Sequence, residues 1–219
     1  MIYVAIIIAM GVVAFVLVSR KYNNPYTLTF LFGKKGSGKS TYMVKLMKRD
    51  IKRGWHVYTN MEDVVLDGVR IFDVTELMKH TPEKHSSVYI DEGGLIWDDR
   101  KFKDFNSGYT EFFKYQRKYH CKMFINSQAF DVDKKIRVLT DSMALQTNIG
   151  NIIGITRPIK RTITLTEPSA DSDSRIADSL TFTPIWTWKF TIMPMYYKYF
   201  ESFSAPAREP VEYREVKQC

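Results

Sequence analysis

Residues 33–40 read Gly33-Lys34-Lys35-Gly36-Ser37-Gly38-Lys39-Ser40, followed by Thr41. The spacing G-x-x-x-x-G-K-[ST] is what a phosphate cradle needs. Glycines let successive backbone amides turn inward as an anion nest at a helix N-terminus, where the helix dipole adds partial positive charge. Lys39 is expected to reach the β- and γ-phosphates of a nucleotide, and the Ser40 hydroxyl to ligate Mg²⁺. A second pair, Asp91-Glu92, follows the apolar run 87–90. There Asp91 is expected in the Mg²⁺ shell and Glu92 beside the attacking water, as general base. A third polar cluster, Asn126-Ser127-Gln128, ends the apolar stretch 123–125 and offers uncharged groups that can sense a γ-phosphate or the lytic water. By itself each of the last two clusters also fits a plain turn after a buried strand.

These groups meet only if the elements around them form one sheet. Residues 27–32 are β-branched and aromatic and stop at Gly33, which reads as a buried strand; in 39–53, Met43, Leu46, Met47 and Ile51 fall on one helical face before Gly54. Strand-like runs recur at 56–59, 69–74, 87–90, 122–125 and 143–147, with helical segments at 75–80, 109–119 and 132–139. This alternation predicts an α/β fold, a mainly parallel central sheet with helices on both faces. Beyond Gly150 the pattern becomes β-type, with a hairpin turn at 149–152 and a strand at 162–166. Residues 167–179 read as an exposed loop, 186–200 as an aromatic segment that packs on something, and 205–219 as a disordered tail. The expected organisation is an anchor at 1–20, a linker at 21–26, a P-loop core at 27–150, a β-rich extension of the same domain at 151–203 and a tail at 204–219.

The anchor is expected because residues 2–18 contain no charge and no proline, with Arg20 and Lys21 next. Seventeen helical residues rise about 26 Å, close to a bilayer core. Charges on the C-terminal side orient the N-terminus outward and the remainder into the cytoplasm. Met1-Ile2-Tyr3 lacks a basic leader, so a cleaved signal peptide is not expected. A net charge of +8 and a pI near 9.3 favour polyanionic partners, nucleic acid or anionic lipid. Cys121 and Cys219 form neither a disulfide framework nor a metal set, and His56, His80, His85 and His120 have no zinc spacing. Residues 100–122 mix Lys and Arg with aromatic rings. They fit either a nucleic-acid track or a solvated helix face over aromatic core.

The strings FLFGKKGSGKST, VYTN, VYIDEGG, YQRKYHCKMFINSQ and FDVDKKIRVLTD resemble the zonula occludens toxin family. That family includes filamentous-phage assembly ATPases grouped with the FtsK/HerA motors. The resemblance spans residues 27–200. It implies an ATP- and Mg²⁺-dependent hydrolase with Lys39, Ser40 and Thr41 in the P-loop, Asp91 and Glu92 as the acidic pair, Gln128 as sensor and Arg117 as an arginine finger for a neighbouring subunit. It also implies a homo-oligomeric ring, a hexamer being one form, at the host inner membrane with phage DNA or a DNA-protein filament and other assembly proteins as partners. Here the apolar helix precedes the domain, whereas familiar members carry theirs after it, and no toxin activity is expected. Other readings of the same residues are a genome-packaging ATPase of a membrane-containing virus, a small-molecule kinase, and a non-hydrolysing scaffold.

Overall fold

The computed structural model describes residues 2–97, 107–128, 138–165 and 176–201, with side chains described at all of these except 2, 5, 20, 107, 163–165 and 176–178. Six strands run parallel: β1 (Leu28–Phe32), β2 (His56–Thr59), β3 (Val69–Ile71), β4 (Ser86–Ile90), β5 (Cys121–Ser127) and β6 (Ser142–Ile149). The antiparallel β7 (Ile153–Leu165), β8 (Ile176–Phe182) and β9 (Lys189–Ile192) extend the sheet, giving the order β3-β2-β4-β5-β1-β6-β7-β8, with β9 also on β7. Parallel strands buried on both faces need apolar residues at consecutive positions. The burial of all five residues of β4 meets that demand.

Alternate residues of each strand feed two cores. Leu28, Phe30, Val88, Ile90, Met123 and Ile125 face Tyr109, Phe112 and Phe113 of α4 (Ser107–Tyr115). Leu31, Val57 and Tyr89 face Met43, Val44, Leu46 and Met47 of α2 (Lys39–Ile51). The mixed α/β fold with a mostly parallel sheet is therefore as expected.

Several local expectations change. The strand expected at 69–74 stops at Ile71, because the Asp73 carboxylate accepts the Thr75 amide at 2.9 Å and starts a 3₁₀ turn over Val74–Met78. The loop expected at 167–179 gives way at Ile176 to β8, which pairs with β7 from Leu165↔Ile176 onward. The hairpin at 149–152 forms as read, with Gly150 and Asn151 both at positive φ, 58° and 56°, as a type I′ turn requires. In the aromatic segment Met193 and Phe200 are buried, while Trp186 remains 82% exposed. The 132–139 helix lies largely outside the described residues, and the 205–219 tail entirely so.

At the N-terminus α1 (Ile2–Tyr22) has 21 residues, about 31 Å of helix, and its described apolar side chains are exposed. Among the described residues no helix is long and apolar enough to cross a membrane. The longest part of α1 with every side chain described is residues 6–19. An exposed apolar helix is thus present where a transmembrane anchor is expected, and membrane crossing is not shown.

Candidate nucleotide site

All the polar clusters singled out by spacing, Arg117 apart, come to the carboxyl edge of the parallel strands, where α/β sheets place their ligands. Residues 33–40 follow β1, Asp91-Glu92 follow β4 and Gln128 follows β5. Because β5 lies between β1 and β4, its polar end sits between the glycine-rich loop and the acidic pair.

The loop turns sharply at Gly36 and Gly38, with φ of 76° and 87°, and α2 begins at Lys39. Positive φ at both explains why neither position carries a side chain. Gly33 is required for another reason: a Cβ there would stand 2.4 Å from the Gln146 carbonyl oxygen of β6. Lys39 is buried, its ammonium donating to the carbonyls of Gly33 at 2.9 Å and Lys34 at 3.3 Å. Burial holds its pKa below the ordinary lysine range, opposed by the charges of Glu92 and Asp91. Lys39 is therefore poised over the loop rather than spent on an ion pair. Beside it the Ser37 hydroxyl is buried without a hydrogen-bond partner. An unpaired buried hydroxyl in an anion nest is a group for which a phosphate oxygen would be the partner.

The Ser40 hydroxyl donates to the Asp91 carboxylate at 3.1 Å. Two oxygens at right angles around Mg²⁺, each at roughly 2.1 Å, stand about 3.0 Å apart. Ser40 and Asp91 thus fit an edge of a magnesium octahedron whose other ligands would be water and phosphate oxygens. Among the described residues no group of three or more His, Cys, Asp and Glu side chains gathers.

Glu92 occupies the left-handed region, φ 52°, at the end of β4. Its amide donates to the Asp91 side chain at 2.8 Å and to Asn126 at 3.1 Å, which fixes the turn. Its carboxylate accepts the Gln128 amide at 2.9 Å. A left-handed residue held by two amide bonds and tethered through its carboxylate is fixed in one orientation at the sheet edge.

Four supporting residues escaped the sequence reading. Asn60, after β2, clamps Asp91 by accepting its amide at 2.7 Å and donating to its carbonyl at 3.1 Å. Asn148 donates to the Gly36 carbonyl at 2.5 Å, tying the hairpin to the loop. Gln146 accepts the Thr156 hydroxyl at 2.6 Å behind Gly33, and Met193 fills the space against Gly38. Asn60 stands in the quoted VYTN string and could have been found there. Gln146 and Asn148 lie in or beside the strand-like run 143–147 and Met193 in the aromatic segment, with nothing to mark them.

Arg117 does not join the site. It is exposed in the turn before β5, at the amino edge, and β5 has 7 residues, which puts Arg117 about 23 Å of strand away from its own nucleotide site. The neighbouring aromatic residues Tyr109, Phe112 and Phe113 are core, so they are not available to stack on bases. Lys122 is buried against Asp50. Arg100, Lys101, Phe102, Lys103 and Phe105 lie outside the described residues.

No family model matches the sequence, and no curated protein matches it either. Among solved structures, the N-terminal domain of zonular occludens toxin from Neisseria meningitidis aligns over 80% of this chain and 99% of its own, at 18% identity and a TM-score of 0.51. A genome packaging NTPase from Sulfolobus turreted icosahedral virus 2, in complex with ATP-gammaS, aligns over 59% of this chain and 79% of its own, at 16% identity and a TM-score of 0.45. The flagellar accessory protein FlaH from Methanocaldococcus jannaschii covers 60% of this chain and 77% of its own, at 14% identity and a TM-score of 0.42. The likeness to the first of these establishes a fold and nothing finer: this chain has the fold of the zonular occludens toxin N-terminal domain.

Proposed function

We propose that this chain is a membrane-anchored ATPase that drives the assembly and export, or the translocation, of phage DNA. The observation that carries the hydrolase reading is the convergence of Lys39, Ser40, Asp91, Glu92 and Gln128 on one sheet edge from three separate loops. In this reading the glycine-rich loop binds the triphosphate and Lys39 neutralises charge that grows on the phosphate oxygens. Mg²⁺ held by Ser40 and Asp91 would supply further charge neutralisation. Glu92 takes a proton from water as its oxygen bonds to the γ-phosphorus, and the bond to the β,γ-bridging oxygen breaks, releasing ADP and phosphate. Gln128 couples the position of Glu92 to the occupant of the γ-site through the 2.9 Å bond between them.

Arg117, remote from its own site, has a catalytic use only across a subunit boundary, which requires a ring. The exposed apolar side chains of α1 support membrane attachment, since an apolar helix left uncovered by the rest of the chain has a partner in the hydrocarbon of a bilayer.

The test is ATP turnover by the full chain, alone and with single- or double-stranded DNA. Turnover stimulated by DNA is expected, and Lys39→Ala should lower it by several orders of magnitude with the fold intact. Equal turnover in Lys39→Ala would remove the ATPase reading. Transfer of the γ-phosphate to a small molecule instead of water would make the chain a kinase.

A further inference from the structure

We propose that the amino edge of the sheet, opposite the nucleotide site, is a docking face for the anionic headgroups of a lipid bilayer. The proposal rests on the reading of α1 as a membrane segment, and it assigns a partner to a surface that reading leaves unexplained.

The loops before the strands meet at this edge. Tyr26, ahead of β1, packs edge-on against Trp55, ahead of β2, and against His120, ahead of β5, with ring centroids 5.8 and 5.2 Å apart. Trp55 stacks on His85, ahead of β4, at 3.9 Å, and the His85 amide donates to the His120 carbonyl at 3.0 Å. The connections that carry these rings also carry Lys52, Arg53, Lys84, Arg117 and Lys118, and Lys21 lies five residues before Tyr26, all six exposed. Among the described residues none of these six has an acidic partner within ion-pair distance.

The acids nearby are already engaged. Asp50 is buried against Lys122 and Tyr89. Glu83 is held by Arg70 and His56, and Asp141 accepts the Leu28 amide at 2.7 Å. Among the described residues Asp67, just before the edge strand β3, is exposed beside this edge, whereas Glu62, Asp63, Asp73 and Glu76 belong to the opposite ends or middles of their connections. The edge is therefore a cationic rim around half-buried Tyr and Trp rings, the composition that suits a headgroup layer.

The path of the chain brings that rim to the bilayer. Residues 23–27 join α1 to β1, and five residues span at most about 18 Å. With α1 in the membrane, the amino edge lies within that reach of the surface, where each Lys or Arg close to anionic lipid strengthens binding about fivefold. The nucleotide site then faces away from the membrane, toward cytoplasmic polymer. A nucleic acid would meet the same charges, but neither the apolar helix entering at this edge nor the interfacial rings would then have a use.

The full chain, transferred from detergent to vesicles of phosphatidylcholine alone or mixed with phosphatidylglycerol, tests the assignment by flotation. The wild type is expected to prefer the mixed vesicles by well over tenfold at low salt, a preference that added salt erodes. The variant K52E/R53E/K84E/K118E should lose most of that preference and partition into neutral vesicles as the wild type does, with unchanged ATP turnover. Should the reversed charges lower the melting temperature, the Gln versions at the same four positions carry the same comparison. Equal partition of the wild type into both vesicles would overturn the docking face alone. Failure to enter either vesicle would overturn the membrane reading of α1 and the docking face with it. Loss of single-stranded oligonucleotide binding by the variant, with its lipid preference intact, would make the edge a nucleic-acid surface and the proposal wrong.

Discussion

Lys122→Met removes one partner from a charge pair that is almost wholly inside the protein. The ammonium of Lys122 lies 2.7 Å from the Asp50 carboxylate, with side-chain exposures of 8% and 0%. The Tyr89 hydroxyl donates to the same carboxylate oxygen at 2.5 Å, and the ammonium also sits 3.7 Å from the centre of the Trp55 ring. Burial lowers the Lys122 pKa, and its bond to Asp50 opposes the shift. Methionine matches the length of the lysine stem, so the packing change is expected to cost under about 1.5 kcal/mol. Leaving Asp50 buried with only Tyr89 and the half-exposed Arg49 beside it costs far more, about 3–5 kcal/mol. For a chain of this size that is a fall in Tm of about 6–20 °C, read by circular dichroism in detergent. The double variant Asp50→Leu/Lys122→Met should lose less than the single, because no charge is left behind. A Tm for Lys122→Met within about 2 °C of wild type, or a double variant less stable than the single, would refute the reasoning. Asp50 lies near the end of α2, Tyr89 two residues before Asp91, and Lys122 on the strand that carries Asn126, so turnover should fall with stability.

Other outcomes follow from the site and its surroundings. Glu92→Gln should bind nucleotide with near-normal affinity, measured by equilibrium titration, while hydrolysis nearly stops, since Asp91 and the loop are untouched; equal loss of both would contradict the separate roles. Arg117→Ala should keep affinity; a fall in turnover of about 10³–10⁵, partly restored by mixing it with Glu92→Gln, would show that it acts on a neighbour and that the amino edge does not face the membrane. Unchanged basal turnover in Arg117→Ala would leave Arg117 to the lipid-facing rim alone. The Cys121 thiol, pushed up to about 12 by burial, should resist alkylation at pH 8 in a Cys219→Ser background and react only on denaturation, as followed by mass spectrometry.

The string at 33–40 and the acidic pair at 91–92 were legible because their chemistry is local: glycines for a turn, then a lysine and a hydroxyl at fixed offsets on a helix start. The alternating strands and helices were legible for the same reason, since burial on both faces of a parallel sheet imposes apolar runs such as residues 88–90 and 123–125. Strand order was not. Nothing in the sequence says that β5 pairs with both β1 and β4, because pairing is a contact between distant segments, and that insertion is what sets Gln128 against Glu92. Nor could spacing show that Gly33 is forced by the Gln146 carbonyl, or that Asn148 and Met193, more than a hundred residues downstream, brace the loop. The basic-aromatic stretch 100–122 was ambiguous in sequence because a helix face and a nucleic-acid track use the same residue types. Packing resolved its described part, sending Tyr109, Phe112 and Phe113 into the core and leaving Arg117 and Lys118 at the edge farthest from the nucleotide site. Sequence fixes what each residue can do; which of them meet depends on the order in which strands bury one another.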